Sequence, residues 1–474
     1  MCKKTAFVKK VILAATAAFC FAFPAAADYN KFNLPDSTEI RRVVKDSWLA
    51  SSLDEIRNRN IEARVNEAGV KFQIRLEEGV DDFAVIIAPQ SLLNVDLIGK
   101  DNSSQKVQME VYPSGAPGSW VLYRNKDTGK PTKICMFFNQ DAEVYIQFQP
   151  SENKTFADMI VFNSYAARSV PVGISFESLY TMSFADVYKI TAQCLPWQKV
   201  AVVPKQYHAP LQMAAVIREN LSRIDYADDA CYNERGKLYS ISTGKPFKII
   251  AEDDGTSYDD LVQKKEIEDN RLTLSTAGFL KWIIDGLVEP RLGTKLSIGD
   301  LLQPTVEYYT AGKNGVLSQK WNLSFTLDWS RNLAAKALSA RSSKNYNFTD
   351  GGVDVTVEPF SSEIVNGKLV NTTGYIKDSG YSVAKLKSIL YVLAVTEPSY
   401  CYLGAIRQSS KLVHDEMVFN ECAIFFPYFD DTGRFGCTVF ENGRELTLEK
   451  FCGTYSDSFV HLERVKCDDS FFPQ

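Results

Sequence analysis

Ser275 and Thr276 open a long apolar run, Ala277-Gly278-Phe279-Leu280-Lys281-Trp282-Ile283-Ile284-Asp285-Gly286-Leu287. A hydroxyl at the head of such a helix has two uses. It caps the first turn by accepting a hydrogen bond from a backbone N–H. It becomes a nucleophile only if a neighbouring base takes its proton. The chain has three histidines to serve as that base, His208, His414 and His461. His208 falls in a stretch broken by Pro204 and Pro210 and reads as solvent-facing. His414 is followed by Asp415 and Glu416, whose charges favour the imidazolium. His461 precedes Glu463 by two residues, so in a strand both share one face. That pair reads either as a third, orienting catalytic residue or as a polar pair on the surface, with the surface pair preferred. Glu421 is a carboxylate candidate, but an ordinary carboxylate is a poor base for a hydroxyl.

The thiols offer less. Cys422 starts the apolar strand Ala423-Ile424-Phe425-Phe426-Pro427, where a cysteine reads as buried and inert. Cys231 follows Asp228 and Asp229, which raise a thiol pKa. Asp253, Asp254, Asp259 and Asp260 gather carboxylates about Gly255, but their spacing departs from an EF-hand loop. No histidine or cysteine pair has zinc spacing, so no metal and no cofactor is assigned. Phe425 and Tyr428 are candidates to line a ligand groove, against the competing reading of ordinary core packing.

The elements that must hold these residues follow from hydropathy periods. Asp36 with Glu39 resembles a capping box, and Ile40, Val43, Val44, Trp48, Leu53 and Ile56 predict one helix over 37–57. From about residue 60 the period falls to two, as at Val70–Ile74, Val107–Val111 and Val144–Phe148, and residues 60–203 read as an antiparallel β-sandwich. Helical spacing returns at 211–224, 258–267 and 276–287, the last stopped by Pro290. A further helix is predicted over 327–341 and another over 383–395. Strands follow at 399–407, 417–427 and 435–440, with a turn at Asp430-Asp431-Thr432-Gly433, a helix capped by Thr447, and a last strand over 460–465.

Helices first and an antiparallel sheet afterwards, with Gly278-Phe279 opening the apolar helix, resembles the NlpC-type peptidoglycan endopeptidases of the papain-like fold. In that family the helix begins Asp-Cys-Ser-Gly-Phe and a strand begins His-Val-Gly-Ile-Tyr. The resemblance places the cysteine at Thr276 and the histidine at Glu421, so both catalytic positions are substituted. It covers 210–467, with 291–380 as an insertion over the cleft. It implies an α+β chain: a segment at 28–59, the sandwich, then a papain-like helix-plus-sheet domain.

Compartment is read from the first 27 residues. Lys3, Lys4, Lys9 and Lys10 precede an apolar run from Val11 to Phe23, and Ala25-Ala26-Ala27 follows, the pattern of a secretory signal peptide. That run is too short to anchor in a bilayer, and no other apolar run reaches the length of a transmembrane helix. Of ten cysteines, eight lie beyond the leader, and five of these fall between Cys401 and Cys467. An oxidising compartment permits bridges among them, and the competing reading, of equal weight, is that most are small buried apolar side chains. With 58 acidic against 53 basic residues the net charge is −5, which argues against a nucleic-acid partner. The leading expectation is an exported, non-catalytic, papain-like protein that binds a peptidoglycan peptide, another cell-wall fragment or an envelope protein. The alternatives are an active envelope hydrolase with a displaced nucleophile, through Ser275, His414 or His461, and an envelope structural protein.

Overall fold

The predicted first helix is three pieces in the computed structural model. It describes residues 32, 34–98, 104–152, 154–247, 271–306, 323–356, 362–365, 368–371, 374–410 and 416–474. Helix α1 (Thr38–Val44) runs into a π-helical turn, and α2 (Leu53–Arg57) restarts behind Ser52, whose side chain forms a reciprocal capping box with Glu55. Asp36 does not cap α1; Ser37 holds that position, while Asp36 accepts from the Thr38 backbone N–H. Apolar spacing alone did not reveal the break, because Val44, Trp48 and Ile56 are buried on both sides of it.

Ten strands follow: β1 (Glu62–Val65), β2 (Lys71–Glu78), β3 (Asp82–Pro89), β4 (Ser91–Ile98), β5 (Ser104–Val111), β6 (Trp120–Asn125), β7 (Pro131–Phe137), β8 (Val144–Ser151), β9 (Lys154–Val161) and β10 (Ser164–Pro171). Eight of them form one antiparallel sheet in the order β1-β2-β3-β6-β7-β8-β9-β10, and β4–β5 stands apart as a hairpin. This corrects the expected sandwich. Alternation reports one buried face but not what covers it. Here Phe72, Ile74, Phe83, Val85 and Ile87 enter a core that continues into the second half of the chain. The opposite face carries a smaller patch, Ala84, Ile86, Ala88, Val121 and Cys135.

Helices α3 (Phe184–Thr191) and α4 (His208–Asn220) precede the short strands β11 (Ile224–Tyr226), β12 (Ala230–Tyr232), β13 (Leu238–Ser240) and β14 (Leu272–Leu274). Next come α5 (Thr276–Leu292), α6 (Ile298–Leu301), α7 (Phe325–Ser342) and α8 (Phe348–Gly351). A hairpin, β15 (Ser362–Val365) and β16 (Lys368–Asn371), leads to β17 (Tyr381–Ser382) and α9 (Leu386–Thr396). The chain closes with β18 (Tyr400–Ser409), β19 (Met417–Phe429), β20 (Phe435–Glu441), β21 (Arg444–Thr447), α10 (Leu448–Thr454) and β22 (Phe459–Lys466). Six strands form an antiparallel sheet in the order β17-β22-β18-β19-β20-β21. The protein is therefore α+β.

Strand alternation splits this sheet between two cores. Cys401, Leu403, Cys422, Ile424 and Phe426 pack with Phe279 and Ile283 of α5 and Trp329 and Leu333 of α7. Tyr402, Ala423, Phe425 and Val439 face the other way, toward Ile389 and Leu390 of α9, Phe451 of α10 and the eight-stranded sheet. The two halves also meet through polar contacts, Asn139 to the Tyr391 hydroxyl and Ser164 to Ser388. Within 291–380, α7 is a core helix and Val353 and Val355 are buried, so these described parts do not form a lid.

Pro290 does not stop α5, which continues to Leu292. Proline cannot donate to the carbonyl of Gly286, four residues back. The Phe472 backbone N–H donates to that carbonyl instead, at 2.9 Å. The tail thus completes the helix it packs on. No helix among the described residues is long and apolar enough to cross a membrane. The expected signal peptide, the predicted helix at 258–267 and the aspartates at 253–260 lie outside the described residues.

Candidate functional site

The head of α5 is closed by the protein's own backbone. The carbonyl of Ala230 in β12 accepts from both the backbone N–H and the hydroxyl of Ser275, each at 2.9 Å. Ser275 Oγ in turn accepts from the Gly278 N–H at 3.1 Å, so its hydroxyl is the helix cap. Gly278 is required here, because a Cβ would collide with the same Ala230 oxygen. Ser275 and Thr276 are both buried. Thr276 is hydrogen-bonded to the Tyr226 side chain.

Glu421 does not point at Thr276 from the sheet. By alternation it shares the face of Ala423 and Phe425, away from α5, and Cys422 is the neighbour that faces the helix. Tyr226 lies where both are felt: burial chiefly raises its pKa, followed by the charges of Asp228 and Glu421. His414 lies outside the described residues. His208 begins α4, exposed, with Nδ1 3.5 Å from Asp469.

Neither Cys422 nor Cys231, the thiols weighed from the sequence, is activated. Burial pushes the Cys422 thiol well above its ordinary range and that of Cys231 to about 12. The eight cysteines from Cys135 to Cys467 carry free thiols, and Cys194 is the exposed one among them.

A cluster of buried ionisable side chains lies elsewhere, beneath α7. His461 and Glu463 are wholly buried rather than on the surface, because β22 is an inner strand with α7 laid over this face. His461 Nδ1 is 2.6 Å from Glu463 Oε1, and Nε2 is 2.8 Å from the Tyr375 hydroxyl. Arg331 of α7 approaches the same Nε2 at 3.3 Å and bonds to Asp354 and Asp378, each at 2.8 Å. Glu463 Oε2 has no hydrogen-bond partner. Burial drives Glu463 upward and His461 downward, so both favour their neutral forms.

Tyr375, His461 and Glu463 have the hydroxyl–imidazole–carboxylate order of a hydrolytic triad. Their environment works against that chemistry. Burial raises the Tyr375 hydroxyl to about 12, and a wholly buried imidazole has no route to substrate. Asp354, His461 and Glu463 also bring ligand atoms within 4.8 Å of one another, as a metal site would. The Arg331 guanidinium occupies the positive position among them, and both imidazole nitrogens are engaged. The cluster is a packed ionic network that fastens α7, Asp354 and the stretch from Tyr375 to Asp378 to β22. Arg331, Asp354, Tyr375 and Asp378 were not singled out from the sequence. The available signal was an arginine inside the apolar pattern of Leu327, Trp329 and Leu333, which demands carboxylate partners.

Phe425 does not line a groove: it is fully buried, edge-on to Phe451 with ring centroids 5.0 Å apart. Tyr428 is half-buried over Gly436.

Residues 30–199 match the model of a family described as a domain of unknown function (DUF8515), a little over a third of the chain. This is α1 through α3, including the eight-stranded sheet. No curated protein and no solved structure matches the chain.

Proposed function

We propose that this is an exported, non-catalytic protein whose second half is a degenerate relative of the NlpC-type papain-like peptidases, and that it binds a peptide, a cell-wall fragment or a protein partner. One observation carries the non-catalytic reading. The helix head that would present a nucleophile is sealed by the Ala230 carbonyl, with Ser275 spent as a cap and Gly278 needed to admit it. The basic, apolar and Ala-x-Ala pattern of the leader supports export. Helices α5 and α7 packed on a face of the six-stranded antiparallel sheet support the papain-like comparison at the level of architecture.

Incubation with peptidoglycan peptides, followed by mass spectrometry, tests the reading. No turnover is expected, and Thr276→Ala should behave as the parent protein does. Cleavage that Thr276→Ala abolishes would restore the hydrolase. The closed helix head equally favours a second reading, an envelope structural protein without a ligand. A specific small ligand on the folded protein separates the two.

A further inference from the structure

At the opposite end of α5 a cleft of about 290 Å³ opens between α5, α7 and β22. Leu287 and Arg291 are one turn apart on α5. Ala334, Ala337, Leu338 and Arg341 form the matching stripe on α7, and Arg464 and Lys466 come from β22. The small side chains of α7 leave the space, and Leu287, Leu338 and Val353 make its walls apolar.

Four cations therefore rim an apolar cavity in a protein of net charge −5. Asp468 bonds to both Arg291 and Arg341, and Arg464 bonds to Glu397. Lys466 is exposed and has no partner among the described residues. Arg464 also donates to the Gly352 and Asp354 carbonyls, so Lys466 is the cation of this rim left for a ligand, with Arg291 and Arg341 behind it on Asp468. Helix dipoles account for Arg291 and Arg341, which sit in the last turns of α5 and α7. They do not account for Arg464 and Lys466 on the strand. The Asp468 carboxylate, shared by Arg291 and Arg341, holds the two guanidinium groups at the edge of the cleft.

We propose that this cleft binds a small amphiphilic anion, a carboxylate or phosphate monoester on a short apolar chain. The head group lies against Lys466 and the arginines, and the chain enters between Leu287, Ala337 and Leu338. The volume sits at the small end of the range for ligand pockets, about 300–1,000 Å³, which restricts the tail to a short chain. The proposal rests on the binding-protein reading above and gives it a ligand class.

Calorimetric titration of the full chain at low salt tests it, with octanoate and octyl phosphate as probes and octanol, octylammonium and inorganic phosphate as controls. Octanoate or octyl phosphate should bind, and the tighter of the two names the head group. Lys466→Glu, at an exposed and unpartnered position, should weaken binding about tenfold or more with an unchanged melting curve. Ala337→Trp should abolish binding by filling the cavity, and raised salt should weaken it. Absence of binding by both anionic probes at millimolar concentration overturns the proposal. Equal affinity for octanol or for inorganic phosphate, or an unchanged affinity in Lys466→Glu, also overturns it. The peptide-cleavage assay is independent: failure of octanoate binding without hydrolysis removes only the cleft assignment, whereas hydrolysis removes the non-catalytic reading.

Discussion

Replacing Arg331 with methionine removes a buried cation that bonds to Asp354 and Asp378 and lies beside the buried Glu463, and its effect follows from the geometry. The Arg331 side chain is 2 % exposed, against 14 % for Asp354 and 28 % for Asp378. Breaking a buried ion pair costs about 3–5 kcal/mol, and partial solvent access at the two aspartates brings the expected loss to about 2–4 kcal/mol. The loss should depend on pH. Burial already raises the Asp354 pKa above its ordinary 3.8, with Arg331 opposing the rise. Without Arg331 the folded-state pKa rises further above the unfolded value. A group raised in this way contributes its stability below the unfolded pKa and loses it as pH increases. Arg331→Met should therefore be nearly as stable as the parent near pH 4 and should fall behind progressively toward pH 8. Urea unfolding followed by far-ultraviolet circular dichroism measures both quantities. Arg331→Lys keeps the charge but loses the planar fork, and should fall between the two. A deficit that is constant from pH 4 to 8, or below about 0.5 kcal/mol throughout, would refute the network reading, since a surface substitution gives no more.

Three further outcomes follow from contacts already described. Gly→Ala in an exposed helix stabilises by about 1 kcal/mol, but Gly278→Ala should destabilise by about 1–3 kcal/mol because of the Ala230 carbonyl; a rise in melting temperature would remove the seal at the head of α5. Gly286→Ala places a Cβ 2.7 Å from the Phe471 ring and 2.9 Å from the Pro473 nitrogen, so residues 471–474 should come off α5 and be trimmed faster by carboxypeptidase. Trimming at the parent's rate would show that the tail does not depend on that close approach. A maleimide should label native protein first at Cys194, with the buried Cys231 and Cys422 reacting only on unfolding; mass spectrometry that finds early label at Cys422 would contradict its burial.

How much of this was legible varies by element and for identifiable reasons. The hairpin turn at 430–433 was readable because Asp430 bonds locally, to the Thr432 and Arg434 N–H groups. The Thr447 cap was readable for the same reason: its hydroxyl accepts from the Lys450 N–H. The run through Pro290 was not, because the group that replaces the lost donor comes from Phe472, far along the chain. His461 and Glu463 were recognisable as a same-face pair. Their burial depends on α7, which reaches them across about 130 residues of sequence.

What the sequence determined by itself was therefore local: the periods that make strands and helices, the caps and turns, the acidic balance, and the presence of serine and threonine at the head of α5. Tertiary structure decided everything that needs two distant segments to meet. It made the eight strands one sheet rather than two, because its apolar face shares a core with α9 and with one face of the six-stranded sheet. It turned Ser275 from a nucleophile candidate into a cap held by Ala230. It also set Arg291 and Arg341 beside Lys466 around one cavity. Hydrogen bonds between neighbours in sequence are written in residue type and spacing, whereas burial and the pairing of charges depend on which surfaces come together when the chain closes.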